Sequence, residues 1–235
     1  MDPAINNNFN VPLAIIVAGV LVAGAIMYVG FSGEGAGNPN TAAVENTEDA
    51  PTITISADDH ILGNPDAPVI LVEFSDLECP FCKTFHQTMK QVMEEYGGDG
   101  KVAWIYRHFP IDSIHPKART EAKATECAAT LGGPVKFWEY ADKVFEITPS
   151  NNGLDLALLP KIATDIGLEK AAFEKCLAEA TYEKIQKDAD TGLAAGANGT
   201  PFTILITKDG AAPVPINGAQ PFETVKALID KALAN

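Results

Sequence analysis

Five short segments of the chain have the apolar pattern of β-strands. Val69–Phe74, Lys101–Phe109 and Phe202–Ile206 are nearly continuous apolar runs bounded by turn formers, which is typical of strands buried on both faces. Thr52–Ser56 alternates between polar and apolar residues and predicts a first short strand. Pro213–Ile216 follows a turn that contains glycine, and predicts one more.

Apolar residues at helical spacing fill the segments between these strands. Lys83–Tyr96 predicts a helix after the first apolar run, and Phe222–Leu233 predicts an amphipathic helix near the end of the chain. Between them, residues 116–195 are mostly helix-forming. The helical segments in that block are 117–131, 135–147, 158–166 and 169–180. The order is βαβ, a helical block and then ββα, which predicts an α/β fold with a small mixed sheet and a helical insertion.

Residues 11–31, VPLAIIVAGVLVAGAIMYVGF, contain no charged side chain. A helix of this length rises roughly 30 Å, about the thickness of the hydrocarbon core of a bilayer. A buried core helix or a cleaved signal peptide are the alternatives, but residues 1–10 lack the basic residues of a signal peptide. The sequence therefore predicts a short tail at 1–10 followed by a single-pass transmembrane anchor.

Charge is distributed unevenly along the chain. The formal net charge is −14, and the first Lys or Arg is Lys83. Residues 32–51 are rich in Gly, Asn, Thr, Ala and acids, which predicts a flexible acidic linker. The folded domain is then expected at 52–235. Because positive charge is nowhere clustered, no nucleic-acid partner is expected.

Cys79-Pro80-Phe81-Cys82 is the main candidate for chemistry. It lies between a predicted strand and a predicted helix, and a helix N-terminus stabilises a thiolate there. Such a pair can cycle between dithiol and disulfide. The same spacing also occurs in zinc sites, with His86 as the nearest further ligand. We expect no metal, because the chain has no second ligand pair, and we expect His86 to be a partly exposed helix residue.

Gly199-Thr200-Pro201 lies directly before a predicted strand. Proline accepts a cis peptide bond at modest cost, and it leaves nearby backbone groups free to pair with an extended peptide. An ordinary turn at the start of a strand is the alternative.

Taken together, these motifs resemble those of the DsbA-like thiol oxidoreductases. Residues 62–109 are similar to the N-terminal half of that family, through the segments 64–68, 73–76 and 79–82. Glu126-Cys127-Ala128 and Phe137-Trp138-Glu139 are similar to its inserted helical domain. The resemblance implies a thioredoxin fold with an inserted helical domain at about 116–195, here preceded by a transmembrane helix.

The resemblance also implies a role for each matching residue. Cys79 would be the exposed nucleophile that forms mixed disulfides, and Cys82 the buried resolving cysteine. Pro201 would be the cis-proline that lies against the active-site disulfide, with Thr200 contacting the substrate backbone. Glu73 would be a buried acid that helps to move protons, although a strand residue facing solvent is equally compatible with its position.

One residue departs from the best-known oxidases of this family. They carry a histidine between the two cysteines that helps to stabilise the thiolate, whereas this chain has Phe81 after Pro80. Phenylalanine offers neither a charge nor a hydrogen bond. The oxidising strength of the pair is therefore left open.

Cys127 and Cys176 both fall at apolar positions of predicted helices. The resemblance implies a structural disulfide between them, because some anchored or secreted members of the family have one at this place. Two buried free thiols are the alternative. A disulfide would indicate an oxidising compartment.

These observations predict an enzyme, a protein thiol:disulfide oxidoreductase. We expect an oxidase that donates the Cys79–Cys82 disulfide to extracytoplasmic proteins with thiol groups. It would be anchored in the cytoplasmic membrane, would need no organic cofactor, and would be reoxidised by a quinone-linked membrane oxidase, a partner implied only by the family. A reductase or isomerase is one alternative, and a metal-binding or metallochaperone module is another.

Overall fold

The computed structural model of the protein describes residues 53–234. The predicted tail (1–10), anchor (11–31) and linker (32–51) lie outside this range. Within it, no helix combines the length and the apolar character that crossing a membrane requires.

A five-stranded mixed sheet forms the centre of the domain. Its strands are β1 (His60–Gly63), β2 (Val69–Ser75), β3 (Val102–His108), β4 (Phe202–Thr207) and β5 (Val214–Asn217). They lie in the order β1-β3-β2-β4-β5, so β2 is central. Only β2 and β3 are parallel, and the other pairs are antiparallel. The predicted α/β class with a mixed sheet is confirmed.

Residues 53–234 also form six α-helices. They are α1 (Pro80–Val92), α2 (Ala118–Ile147), α3 (Leu159–Asp165), α4 (Lys170–Glu179), α5 (Glu183–Ala194) and α6 (Phe222–Leu233). A π-helical turn at Met93–Gly97 extends α1, and a 3-10 turn at Leu156–Leu158 precedes α3. Helix α1 connects the parallel strands β2 and β3, as a βαβ unit requires.

The two faces of the sheet are covered by different helices. Alternate residues of a strand point to opposite faces, so Leu71 and Trp104 pack on one side with α1 and α6. Val72 and Ile105 pack on the other side with α5. Helix α5 approaches closely because Gly192 has no side chain, and a Cβ there would lie 2.7 Å from the Phe109 ring.

One detail of the sequence prediction is wrong. Residues 53–56 form no strand, and the first strand is β1, where His60 pairs with Tyr106. The alternating pattern at 53–56 instead reflects Ile53 and Ile55, which pack against the apolar cluster under α5. The predicted separation of the segments 117–131 and 135–147 is confirmed, because the backbone of Gly133 (φ 75°, ψ −169°) is not helical and divides α2 into two helical segments.

A disulfide connects the helices of the inserted block. Cys127 of α2 and Cys176 of α4 are bonded, with an S–S distance of 2.05 Å. Tyr140 stacks on Phe173 at 5.4 Å between ring centroids, which adds an apolar contact between the same helices. The second half of α2 also packs against the sheet, where the ring centroids of Trp138 and Trp104 are 4.6 Å apart.

Candidate active site at the N-terminus of helix α1

The two cysteines of the motif lie at the start of α1. Cys79 is the N-cap residue and has extended backbone dihedral angles (φ −77°, ψ 122°). Pro80 occupies the first turn, where its missing N–H costs nothing because that group would have no helical partner. Cys82 follows one turn into the helix, and the two cysteines are not joined by a disulfide. The N–H groups of Phe81 and Cys82, which have no helical partner in this first turn, act on the Cys79 sulfur.

Cys79 is less accessible than the resemblance implied. Only 4% of its surface is exposed, and Cys82 is fully buried. The Cys79 sulfur lies 3.5 Å from the carbonyl oxygen of Thr200, so the loop before β4 covers it. The Cys82 sulfur accepts a hydrogen bond from the Asp76 backbone N–H at 3.4 Å. Cys79 is therefore the sulfur that a substrate thiolate can reach, and Cys82 is not accessible to it.

The environment separates the acidities of the two thiols. The hydrogen bond from Cys82 is the main reason why the pKa of Cys79 falls to about 6, and the N–H groups of Cys82 and Phe81 add to the effect. Burial raises the pKa of Cys82 well above its usual value, and the neighbouring Cys79 raises it further. At neutral pH the pair therefore holds one thiolate, at Cys79, and one thiol, at Cys82.

The loop before β4 places a proline opposite this pair. The peptide bond between Thr200 and Pro201 is cis. Pro201 is buried at the start of β4. The Thr200 hydroxyl is buried and has no hydrogen-bond partner among residues 53–234. Thr200 thus lies beside Cys79, although it is 121 positions away along the chain, and Pro201 follows it directly.

Glu73 is fully buried, so it does not face solvent. It lies on the same face of the sheet as Trp104, whose indole N–H donates to Glu73 Oε2 at 2.9 Å. Burial raises the pKa of Glu73 to about 7, and negative charge on Cys79 contributes to the rise. The Glu73 charge in turn raises the pKa of Cys82. A carboxyl group with this pKa can give or accept a proton at neutral pH.

We expect Glu73→Gln to change how stability depends on pH. The raised pKa means that the folded protein keeps a proton that the unfolded chain releases, so stability falls as pH rises from about 4.5 to about 7. The shift corresponds to about 3 kcal/mol of unfolding free energy. Denaturant unfolding across this range should show a flatter profile for Glu73→Gln, whereas exposed Glu174→Gln should follow the wild type. Parallel profiles for wild type and Glu73→Gln would contradict the assignment.

The expectation that His86 is partly exposed is wrong. Its side chain is fully buried between Trp104 and Phe145, and Nε2 lies 2.6 Å from Asp142 Oδ1. Burial lowers the pKa of His86, against the effect of Asp142. Across residues 53–234, no three His, Cys, Asp or Glu side chains are arranged to hold a metal ion. His86 has a structural partner, and no observation favours the metal-binding alternative.

Phe81 is 65% exposed. Its ring therefore lies on the surface, and an apolar ring offers no hydrogen bond to either sulfur. Its backbone N–H nevertheless contributes to lowering the pKa of Cys79. The stabilisation of the thiolate thus comes from the helix terminus and from Cys82.

Three site residues were missed from the sequence. Asp76 Oδ1 accepts from the Glu78 N–H at 2.8 Å, and Asp76 Oδ2 lies 2.9 Å from His115 Nδ1. All three side chains are buried. The signal that could have found them is the run of acids Asp76 and Glu78 inside an otherwise apolar segment that leads into the cysteine motif. His115 gave no such signal, because only the fold brings it to this loop.

Comparison with protein families identifies the class. The model of a family described as thioredoxin matches residues 56–231. The chain therefore belongs to the thioredoxin family. Within it, the chain is similar to DsbA-type proteins and is an enzyme of the thiol–disulfide oxidoreductase class.

Two solved structures illustrate the similarity. Alpha-DsbA1 of Wolbachia pipientis is 25% identical, with a TM-score of 0.66, and the match covers 77% of this chain and 93% of that one. DsbA2 of Pseudomonas aeruginosa is 26% identical, with a TM-score of 0.63, and the match covers 76% of this chain and 96% of that one. The likeness extends over most of the folded domain, including the inserted helices.

Curated relatives match over a shorter range. The Na(+)/H(+) antiporter NhaA 1 of Mycolicibacterium gilvum is 32% identical over 158 residues, which are 66% of this chain and 24% of that protein. The NhaA 1 protein of Mycolicibacterium vanbaalenii is 32% identical over 146 residues, 61% of this chain and 22% of that protein. This chain thus spans less than a quarter of the length of these relatives.

Proposed function

We propose that the protein is an oxidase that donates the Cys79–Cys82 disulfide to thiol-containing proteins outside the cytoplasm. The observation that carries this proposal is the unequal acidity of the two cysteines. The helix terminus stabilises Cys79 as a thiolate, with a pKa of about 6. A stabilised thiolate favours the reduced form of the pair, so the disulfide form is a better oxidant.

The reaction takes two exchange steps. A substrate thiolate attacks Cys79 Sγ in the disulfide form, the bond to Cys82 breaks, and Cys82 leaves with the electron pair. Because the pKa of Cys82 is strongly raised, its sulfur takes up a proton, for which protonated Glu73 is a source. A second substrate thiolate then attacks the substrate sulfur of the mixed disulfide, and Cys79 leaves as a stabilised thiolate. The substrate loses two electrons, and the cysteine pair gains them.

The cis-proline loop orients the substrate for this exchange. The Thr200 carbonyl faces Cys79, and Pro201 has no N–H. An extended peptide can therefore pair with the backbone of this loop in the manner of an added strand. Its cysteine would then be held against Cys79.

Two features support an extracytoplasmic location. The Cys127–Cys176 disulfide is of a kind that persists in oxidising compartments. The uncharged segment 11–31 supports a membrane anchor, with the domain on the outer side of the cytoplasmic membrane. A quinone-linked membrane oxidase would take the two electrons and regenerate the disulfide. If the anchor is retained, the full chain will remain in the membrane fraction after alkaline extraction.

The test of the proposed function is oxidation of a peptide. The full-length oxidised protein is mixed with a reduced peptide that carries two cysteines, and formation of the peptide disulfide is followed. We expect stoichiometric oxidation of the peptide with appearance of two protein thiols, at Cys79 and Cys82. Reduction of an oxidised peptide by the dithiol protein, without the forward reaction, would favour the reductase or isomerase alternative instead.

Phe81→His is expected to make the protein a stronger oxidant. A histidine there adds a hydrogen bond or positive charge beside the Cys79 thiolate, which should lower the thiol pKa by about one unit. One unit corresponds to about 30 mV in the potential of this two-electron couple. Alkylation of Cys79 as a function of pH and equilibration with glutathione measure the two quantities. Phe81→Leu is the matched control, and an unchanged potential in Phe81→His would contradict the expectation.

A further inference from the structure

Two buried acids that the exchange reaction does not use lie in and beside the loop that carries Cys79. Glu78 immediately precedes the cysteine, and Glu121 lies in the first turn of α2. Both side chains are fully buried. A buried carboxylate is costly unless it is paired. The pairing of these two groups therefore needs a physical explanation.

Glu78 connects the loop that carries Cys79 to the loop after α2. Its Oε2 accepts from the Gly153 N–H at 3.2 Å, and its backbone oxygen accepts from the Asn151 N–H at 2.8 Å. Residues 150–152 all have positive φ, between 52° and 65°. The position of Cys79 is thus tied to the helical block through Glu78.

Glu121 has no such donors. Neither of its carboxyl oxygens, nor Glu78 Oε1, accepts a hydrogen bond from any donor in the described range 53–234. Lys117, one turn earlier, is engaged elsewhere, because its Nζ donates to the carbonyl oxygens of Asn152 and Leu154 at 2.7 Å each. Glu78 and Lys117 both reach the loop at 152–154, and Glu121 lies one turn after Lys117, so the two carboxyl groups are neighbours and interact with each other. Two carboxylates only accept, so this contact is a hydrogen bond only if one of them holds a proton.

The charged groups around Glu78 and Glu121 favour the protonated form of one of the two carboxyl groups. Asp76 adds a second negative charge, and Lys117 adds a single positive one. The charge of Glu121 also contributes to raising the pKa of Tyr140, further along α2. His115 contacts Asp76 rather than Glu121. Burial, followed by the contact with Glu78, raises the pKa of Glu121 to about 9. The balance thus keeps one carboxyl neutral at physiological pH.

The geometry points to an acid pair, Glu78 and Glu121, that shares one proton and holds the Cys79 loop against the helical block. Both are positioning residues, because neither touches the reacting sulfurs. This role rests on the proposed exchange at Cys79. Loss of the shared proton leaves two buried negative charges in contact, which repel each other and release the loop. Exchange at Cys79 should then fall at alkaline pH for a reason unrelated to the thiols.

The first experiment looks for the shared proton itself. Infrared difference spectra of the full chain are recorded between about pH 8 and about pH 10.5, a range above the titration of Glu73. We expect a protonated carboxyl band that disappears as pH rises in the wild type and is absent from Glu121→Gln. Glu146, an exposed residue of the same helix, provides the matched control, and Glu146→Gln should keep the band. This readout does not depend on the direction of catalysis.

The second experiment looks for the effect on exchange. Glutamine at position 121 donates to Glu78 as the protonated carboxyl does, but it cannot ionise. The rate of peptide oxidation by Glu121→Gln, divided by the wild-type rate, should be near one at about pH 7 and rise about threefold or more by about pH 10.5. Ionisation of the peptide thiols affects both rates equally, so its effect cancels in this ratio. Glu78→Gln should show the same rise.

The outcomes separate this role from the proposed function. Absence of a titrating carboxyl band from the wild type, or its persistence in Glu121→Gln, would overturn the acid pair whatever the enzyme does. A flat rate ratio with the band present would overturn its role in positioning Cys79. Failure of every form to oxidise the peptide, with the band behaving as expected, would count against the oxidase function and leave the shared proton established.

Discussion

Replacing Cys79 by serine is expected to lower thiol–disulfide exchange by more than about 1000-fold, which is about 4 kcal/mol in transition-state free energy. The hydroxyl cannot form a disulfide, and Cys82 cannot take over because it is fully buried. Its strongly raised pKa also leaves almost no thiolate at neutral pH. The rate of peptide oxidation by the full-length variant measures the effect.

Cys82→Ser provides the matched comparison. This variant keeps the Cys79 thiol but lacks the sulfur that resolves a mixed disulfide. It should therefore form long-lived disulfides with substrates, detectable as higher-mass species on non-reducing gels, whereas Cys79→Ser should form none. Covalent complexes through Cys82 in Cys79→Ser would reverse the assigned roles of the two cysteines.

The second large effect concerns stability. Removing the disulfide with Cys127→Ser and Cys176→Ser together should cost roughly 4 kcal/mol, because the bond closes a loop of about 50 residues and restricts the unfolded chain. For a domain of this size, that loss corresponds to a decrease of about 8–16 °C in Tm. Thermal unfolding with and without the double substitution measures the difference.

The measurement is best made in a chain that also carries Cys79→Ser and Cys82→Ser. The active-site thiols then do not contribute, and adding a reductant to that chain should reproduce the loss seen with the double substitution. If the two cysteines were free thiols packed in the core, reductant would leave the Tm unchanged, and the assigned bond would be wrong.

Much of the fold could be predicted from local patterns. Val69–Phe74 and Phe202–Ile206 are apolar enough to be central strands in any packing, and they became β2 and β4. Phe222–Leu233 was predicted with the bounds that α6 has. These elements could be predicted because their buried positions are apolar. Apolar residues recur about once per turn in a helix with one buried face, and they form a continuous run in a strand buried on both faces.

Other elements depended on tertiary contacts. His60–Gly63 has only four residues and became a strand because it pairs with β3. Helix α5 lies within the segment predicted as the helical insertion. It packs directly on the sheet, however, and so belongs to the thioredoxin-like core.

Only part of the site could be predicted, because some of its features are local in the sequence and others depend on tertiary contacts. The cysteine motif is local, and its position before a helix could be read directly. The burial of Glu73 and His86 could not, because it depends on Trp104 and on the second half of α2. The contact between Glu78 and Glu121 joins segments 43 positions apart, and no local pattern marks it.

Equilibration of the full-length protein with glutathione tests the central claim most directly. A Cys79 pKa of about 6 lies between those of thioredoxin and the strongest oxidases, and we accordingly predict a reduction potential of about −230 mV for Cys79–Cys82. That value suffices to oxidise substrates whose structural disulfides lie below about −300 mV. A potential at or below about −270 mV, that of thioredoxin, would contradict the oxidase account and indicate a reductase.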